Sequence, residues 1–396
     1  MSEISSLVDK LCPNGVEYLR LENVVKIMNG KDYKSFPEGT VPVYGTGGIM
    51  TYIDRAVYDK PSVLLPRKGS IDKVYYVDTP FWTVDTIYWT KINTEKLLPK
   101  FLYYYMTTIN LAGMNTGTGA IPSLTQTVLK RIEIPVPPIE VQSKIVEILD
   151  NFAELTEELT AELTARQKQY EYYRDNLLSF NNIKRGGQNE VIWKTLFELG
   201  GFFGGLTGKS KSDFTDGNAK FITYMNVYSN SALKLDIEDK VKIAPDEKQN
   251  RIKHGDLLFT GSSETPDECG MSSVVVNEVL DDYYLNSFCF GFRLNDTSLF
   301  NLRFLKHLLR SGQIRNQIAK TASGVTRFNV SKSRFGRVSI PIPPIDEQNR
   351  IADILDKFES LSFSLTDGLP AEIKARQQQY EYYRDKLLTF KRKEVA

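Results

Sequence analysis

The chain has 396 residues, 41% hydrophobic and 25% charged, which is enough to bury more than one core. Its formal net charge is +1, and its cysteines, Cys12, Cys269 and Cys289, form no Cys-x-x-Cys pair, so neither a disulfide framework nor a protein metal site is expected. No apolar run approaches the roughly 18 to 20 residues that cross a bilayer, and the opening stretch, with Glu3 and Asp9, lacks a basic flank and an apolar signal core, so the expectation is a cytoplasmic chain without a membrane partner.

After an amphipathic start from Ile4 to Leu11, the run Tyr18-Leu-Arg-Leu-Glu-Asn-Val-Val opens a first block. Thr40-Val-Pro-Val-Tyr-Gly, Ser62-Val-Leu-Leu-Pro and Lys73-Val-Tyr-Tyr-Val, separated by Gly and Pro turns, predict short strands, and a helix is expected around Leu97 to Thr108. The block closes on Ile134-Pro-Val-Pro-Pro-Ile139. A long helical pattern follows, with Ile145, Ile148, Phe152, Leu155, Leu159, Leu163, Tyr170, Tyr173 and Leu177 at spacings of three and four, and Arg166 as the polar seam position. Such a seam packs helix on helix in a coiled coil, and its one extra four-residue step is a stutter. Asn181 to Gln188 reads as a linker.

The same order then recurs. Trp193-Lys-Thr-Leu-Phe-Glu-Leu opens a second block, with expected strands at Lys220-Phe-Ile-Thr-Tyr and Asp256-Leu-Leu-Phe-Thr and a helix within Leu302 to Thr321. Ile340-Pro-Ile-Pro-Pro-Ile345 starts a second seam of Ile351, Ile354, Phe358, Leu361, Leu365, Leu369, Ile373, Tyr380, Tyr383 and Leu387, which Asp367-Gly-Leu-Pro370 is expected to interrupt or kink. The two helical patterns end in near copies: Ala165–Leu178 and Ala375–Leu388 differ at only two of fourteen positions. A repeat of this length predicts the architecture. It is α+β: compact mixed domains at 1–138 and 193–344, long helices at 139–180 and 345–390, a linker at 181–192 and a tail at 391–396. A straight first helix would be about 60 Å long, and two such helices would pair as an antiparallel coiled coil about a pseudo-twofold axis.

Charge is divided along this plan. The blocks carry about +2 (1–138) and +5 (181–344), and the helices about −5 (139–180) and −1 (345–396). From Thr297 to Ile345 there is no acid among Arg303, Lys306, Arg310, Arg315, Lys320, Arg327, Lys332, Arg334 and Arg337, and Lys96 to Ile132, which includes Lys130, is also acid-free. Excluding acids over such lengths suits a phosphate backbone as partner.

Catalytic motifs are missing. Gly204-Gly-Leu-Thr-Gly-Lys-Ser210 resembles a phosphate-binding loop, but Phe203 stands where its first glycine is required. Pro137-Pro138 and Pro343-Pro344 lack the flanking residues of an amino-methyltransferase motif, and neither a nuclease signature nor a nucleophile elbow is found.

The two variable blocks, the Ile-Pro-x-Pro-Pro-Ile signals, the Leu-Thr-Ala-Glu tetrads and the Gln-Tyr-Glu-Tyr-Tyr-Arg-Asp endings together resemble the specificity subunit of a type I restriction-modification system, over nearly the whole chain. The tetrads and the Gly368-Leu-Pro370 element look most like the type IC subgroup. The resemblance implies that the blocks are target recognition domains, each reading one half of a bipartite double-stranded DNA site. The helices would set the gap and dock two modification subunits. It also implies a non-catalytic chain that binds no cofactor itself. S-adenosylmethionine would act on the modification subunits, and ATP and Mg2+ would serve restriction subunits in the full complex.

Within the readers, Thr116, Thr118 and the loop Ser323 to Arg327 are placed to meet phosphates. Arg327 and Asn329 have the donor geometry for base edges, and Lys332 and Arg334 suit phosphates. Arg67, Lys68, Ser70 and Lys73 form a Gly-containing loop in the first block, and Thr260 to Ser263, with Ser262, sits similarly in the second. The candidate partner-binding residues are Tyr170, Tyr172, Tyr173 and Arg174 with their copies Tyr380, Tyr382, Tyr383 and Arg384, because a coiled-coil seam alone does not constrain outer faces. The competing readings are a coiled-coil scaffold that never touches nucleic acid and, third, a fused methyltransferase or nuclease.

Overall fold

The computed structural model describes residues 2–115, 117, 120–180, 191–363 and 368–394. The chain forms two compact units, and they cut across the sequence blocks. One comprises Met1–Thr160 and Glu372–Ala396, the other Ala161–Ala371.

In the first unit the apolar run Ser62–Pro66 is buried at every position, as expected of a central strand. It lies in an antiparallel sheet of order Val25–Asn29, Ile87–Ile92, Ser62–Pro66, Tyr75–Val77. A second sheet joins Gly48–Ile53, Glu38–Gly45 and Trp82–Thr83, the last pair parallel. Helix Pro99–Thr108 starts on a proline, whose missing N–H is harmless in a first turn, and buries Phe101, Leu102, Tyr104 and Met106. Tyr18–Arg20 pairs antiparallel with Glu133–Pro135, so the strand that opens the domain is clasped to the one that leaves it for helix Ile139–Leu177.

The second unit repeats this plan in different residues. Its four-stranded sheet runs Gly200–Gly204, Cys289–Leu294, Leu257–Thr260, Ser272–Val274, again antiparallel throughout, and its mixed sheet runs Lys240–Val241, Ala219–Ile222, Tyr283–Leu285. The clasp is Ile192–Thr195 with Ser339–Ile342. A further small sheet joins Ser262–Ser263, Phe328–Val330 and Ala322–Ser323.

The proline signals gain a physical reason. Gln142 is fully buried; its amide donates to the carbonyls of Pro137 and Lys96, both at 2.8 Å, and its Oε1 accepts from Leu98 N at 2.8 Å. Gln348 repeats this with Pro343 and Leu299 as acceptors and Asn301 N as donor. Each glutamine therefore ties the start of a long helix to the start of the domain helix that packs on it and to the buried carbonyl of Pro137 or Pro343.

The second long element is two helices, Ile345–Phe363 and Leu369–Leu387, with Pro370 in the first turn of the latter; Leu365 and Asp367 lie outside the described residues. The repeated endings enter the cores. In the first unit, Leu387 and Leu388 join Val63, Leu102, Ile145 and Leu149, and Tyr383 stacks on Phe152 at 5.5 Å. In the second, Tyr170, Leu178 and Phe180 join Phe304, Leu308, Ile351 and Leu355, and Tyr173 stacks on Phe358 at 5.3 Å.

Candidate nucleic-acid interface

The basic run of the second block is less free than its sequence suggests. Arg303 pairs with Asp353 and Asp356, and Lys306 with Asp356 and Glu359. Arg310 donates to the carbonyls of Ser272, Val227 and Tyr228, and Arg315 to those of Gly270, Asp267 and Cys269. These four cations organise the unit itself: the acids that balance the first two lie on the adjacent helix, beyond the acid-free stretch. Lys320, Arg327, Lys332, Arg334 and Arg337 remain exposed.

In the second unit the two suspected loops come together, and in the first the Arg67 loop meets residues 122–124. In the second, Ser262 and Ser263 pair with Asn329 and Phe328, and Val330 N donates to Gly261 O at 3.0 Å. In the first, Lys68 bridges to Ser123, Gly69 N donates to Pro122 O at 3.0 Å and Leu124 N to Arg67 O at 2.8 Å. The loop after the central strand thus meets the segment before the clasp in both. Thr116 and Thr118 lie outside the described residues.

Individual residues differ in freedom. Arg67 spends Nη1 on Asp85 O at 2.9 Å and lies over the Tyr88 ring, while Lys68, Ser70 and Lys73 are exposed and Lys130 is half-buried. Asn329 and Lys332 are exposed, and Lys332 Nζ lies 5.5 Å from the Phe290 ring centre. Arg334 donates to Ser323 Oγ at 3.0 Å. Thr260 is a correction: it is fully buried, and its hydroxyl accepts from Met271 N at 2.9 Å, so it belongs to the domain interior and not to a surface that DNA can reach. Ser262 is also buried, and its hydroxyl accepts from Arg327 Nε and Nη2 at 3.2 and 3.0 Å. It acts by holding Arg327. Sequence reasoning missed Phe288, whose exposed ring lies 5.5 Å from the Arg327 guanidinium, and Glu264, which lines the same cavity as Arg327. Only their place after strand ends hinted at either.

The repeated endings divide by position. Tyr170 is a second correction, being 6% exposed with its hydroxyl 2.9 Å from His307 Nδ1 inside the second unit. Tyr380 is partly buried in the core of the first unit. Tyr173 and Tyr383 stack on phenylalanines, and Arg174 and Arg384 bond the neighbouring Asp175 and Asp385 while lying over Tyr170 and Tyr380. Tyr172 and Tyr382 face outward, 66% and 60% exposed. Near-identity of the inward positions thus has an internal cause, since each ending packs into the core of its own unit.

His307, Asp356 and Glu359 bring possible metal-ligating atoms within 4.8 Å, but the Lys306 ammonium already bonds both carboxylates. In the loop that resembles a phosphate cradle, Lys209 is spent on Lys242 O and Glu247.

The profile described as "Type I restriction modification DNA specificity domain" matches residues 13–166 and 190–375. The chain belongs to this family of type I DNA specificity subunits. It is 32% identical over 432 residues to the Type I restriction enzyme EcoR124I/EcoR124II specificity subunit of Escherichia coli, covering 100% of both chains. It is 31% identical over 395 residues to a putative type I restriction enzyme specificity subunit of Haemophilus influenzae, covering 95% of this chain and 96% of that one. Among solved structures, the S subunit of a type I system from M. genitalium has a TM-score of 0.53 at 15% identity, covering 94% and 96% of the two chains. A chain from work on assembly and conformational transition of the type I R-M system has 0.62 at 14%, covering 95% and 98%. Both likenesses concern the fold. Among the described residues no helix is long and apolar enough to cross a membrane.

Proposed function

We propose that this chain is the non-catalytic DNA-reading subunit of a cytoplasmic type I complex, with each domain reading one half of a bipartite site in duplex DNA. One observation carries the reading: the same sheet order and the same pair of converging loops occur in both units, while the loop residues differ. Two like frames with unlike reading surfaces suit two different half-sites. The exposed cations Lys68, Lys73, Lys332 and Arg334 would contact phosphates, and Arg327 and Asn329 base edges. The long helices would hold the half-sites apart and, through outward faces that include Tyr172 and Tyr382, dock two modification subunits. S-adenosylmethionine would bind those subunits, which methylate adenine on N6, and ATP and Mg2+ would serve restriction subunits.

The test is methylation mapping of DNA from cells that co-express this chain with its modification subunit. A bipartite motif with methyladenine in both halves is expected. An assembled complex that adds no sequence-dependent methylation would favour a scaffold instead.

A further inference from the structure

The exposed cavity beside Arg327 has an unusual balance for a surface that meets DNA. Tyr224, Tyr228, Ser263, Glu264, Glu268 and Arg327 are among the residues lining a volume of about 430 Å³. Arg327 is held from two sides. Its Nε and Nη2 donate to the buried Ser262 hydroxyl, and its guanidinium lies 5.5 Å from the Phe288 ring centre. Using the Nε side for Ser262 leaves the opposite fork, one N–H on each terminal nitrogen, directed away from its support. A planar fork fixed in this way is prepared for two parallel acceptors.

The acids decide between a phosphate and a base. Glu268 accepts from Tyr228 Oη at 2.8 Å and from Thr265 Oγ1 at 3.0 Å, so it is engaged within the unit. Glu264 is exposed on the same cavity. Two carboxylates beside one guanidinium repel a phosphate, whose charge they share, but an acceptor next to a donor fork complements a base edge that carries both groups. In the major groove guanine offers the acceptors O6 and N7, and its cytosine partner offers the N4 amino donor.

We infer that Arg327 and Glu264 read one G·C base pair in the half-site of the second unit, Arg327 on guanine and Glu264 on cytosine. The inference rests on the DNA-reading role proposed above and names one of the base pairs read. Ser262 and Phe288 act as positioning residues, since they hold the guanidinium and take no base.

The experiment compares the wild-type complex with complexes carrying Arg327→Gln, Arg327→Lys or Glu264→Ala, measuring methylation of duplexes in which each base pair of the mapped motif is replaced in turn. Arg327→Lys keeps the charge and removes the fork. The wild-type motif is expected to contain a G·C pair at which all three variants lose discrimination by roughly 5- to 150-fold, with other positions unchanged. Because both side chains are exposed, the variants are expected to co-purify with the modification subunit as the wild type does. Uniform weakening on all sequences, unchanged discrimination, or relaxation at an A·T pair overturns the inference while leaving the DNA-reading role intact. A wild-type complex without any sequence preference overturns that role, and the inference with it.

Discussion

Tyr104 and His307 hold the same place in the two units. Tyr104 Oη donates to Asp150 at 2.6 Å, and His307 Nε2 lies 2.8 Å from Asp356, each aspartate belonging to the long helix that follows its domain. One turn earlier, Lys100 and Arg303 pair with the same aspartates. Unlike residues thus fill one joint, and the second joint contains a histidine, the side chain whose ordinary pKa lies nearest neutrality.

Stability should therefore depend on pH through His307. Burial holds its pKa below the ordinary histidine value, so the neutral ring donates from Nε2 to Asp356 and accepts Tyr170 Oη–H at Nδ1. The unfolded chain takes up a proton below about pH 6.5 while the folded ring does not, so stability is lost as pH falls through that value. Burial works to raise Asp356 and Glu359, but the hydrogen bond from the His307 ring to Asp356, the Ser231 hydroxyl on Glu359 and the bonds and charge of Lys306 outweigh it and hold both below the usual carboxylate range. Their contribution is lost only below about pH 4. Melting of the second unit is expected to fall between about pH 6.5 and 5, and His307→Tyr, which copies the first unit, to flatten that slope. A slope unaffected by the substitution would show that His307 is not its source.

The buried glutamines should be costly to remove. Gln142→Ala leaves Leu98 N and the Lys96 and Pro137 carbonyls without their partner, and Gln348→Ala does the same to Asn301, Leu299 and Pro343. The Pro137 and Pro343 carbonyls are buried, and an orphaned buried group costs about 1–3 kcal/mol. Denaturant unfolding of the full chain should show a loss of that order or more from either substitution. A loss below about 0.5 kcal/mol, typical of surface positions, would mean the network is not built as described.

Adjacent tyrosines of one ending should behave differently. Tyr170→Ala empties a core position and is expected to destabilise the second unit by about 3–5 kcal/mol, in the range of large aromatic truncations. Tyr172→Ala, two residues on and exposed, should leave melting unchanged but weaken capture of the modification subunit in a pull-down. Equal effects in both assays would remove the distinction.

Deleting Leu159 to Glu162 shortens the helix by about 6 Å, close to the rise of nearly two base pairs. Methylation mapping should then report the same half-sites with a smaller gap. An unaltered gap would count against the helix as a ruler.

Much of this plan was legible because it is periodic. The seams, the proline signals and the near-identical endings announced two domains and two long helices, and the apolar run Ser62–Pro66 announced a strand, which the structure buries at every position. The sites were read less well for a specific reason: charge in sequence does not say where its partner lies. Arg303 and Lys306 looked free because their acids are about 50 residues away, and Arg310 and Arg315 because their partners are carbonyls. Thr260 was misplaced because a strand's last residue can point either way. Gln142 and Gln348 were visible four residues after each Pro-Pro pair, yet a glutamine in a first helical turn usually meets solvent.

The crossing of blocks and units also sets an order of events on the ribosome. The first unit lacks Leu387, Leu388 and Tyr383 until residues 372–390 emerge, whereas the second has all its segments once residue 371 is made. The unit begun first is thus completed last, and Phe152 waits for its Tyr383 partner, as the core waits for Leu387 and Leu388, through synthesis of about 230 residues beyond Thr160, roughly 10 to 45 seconds at ordinary elongation rates.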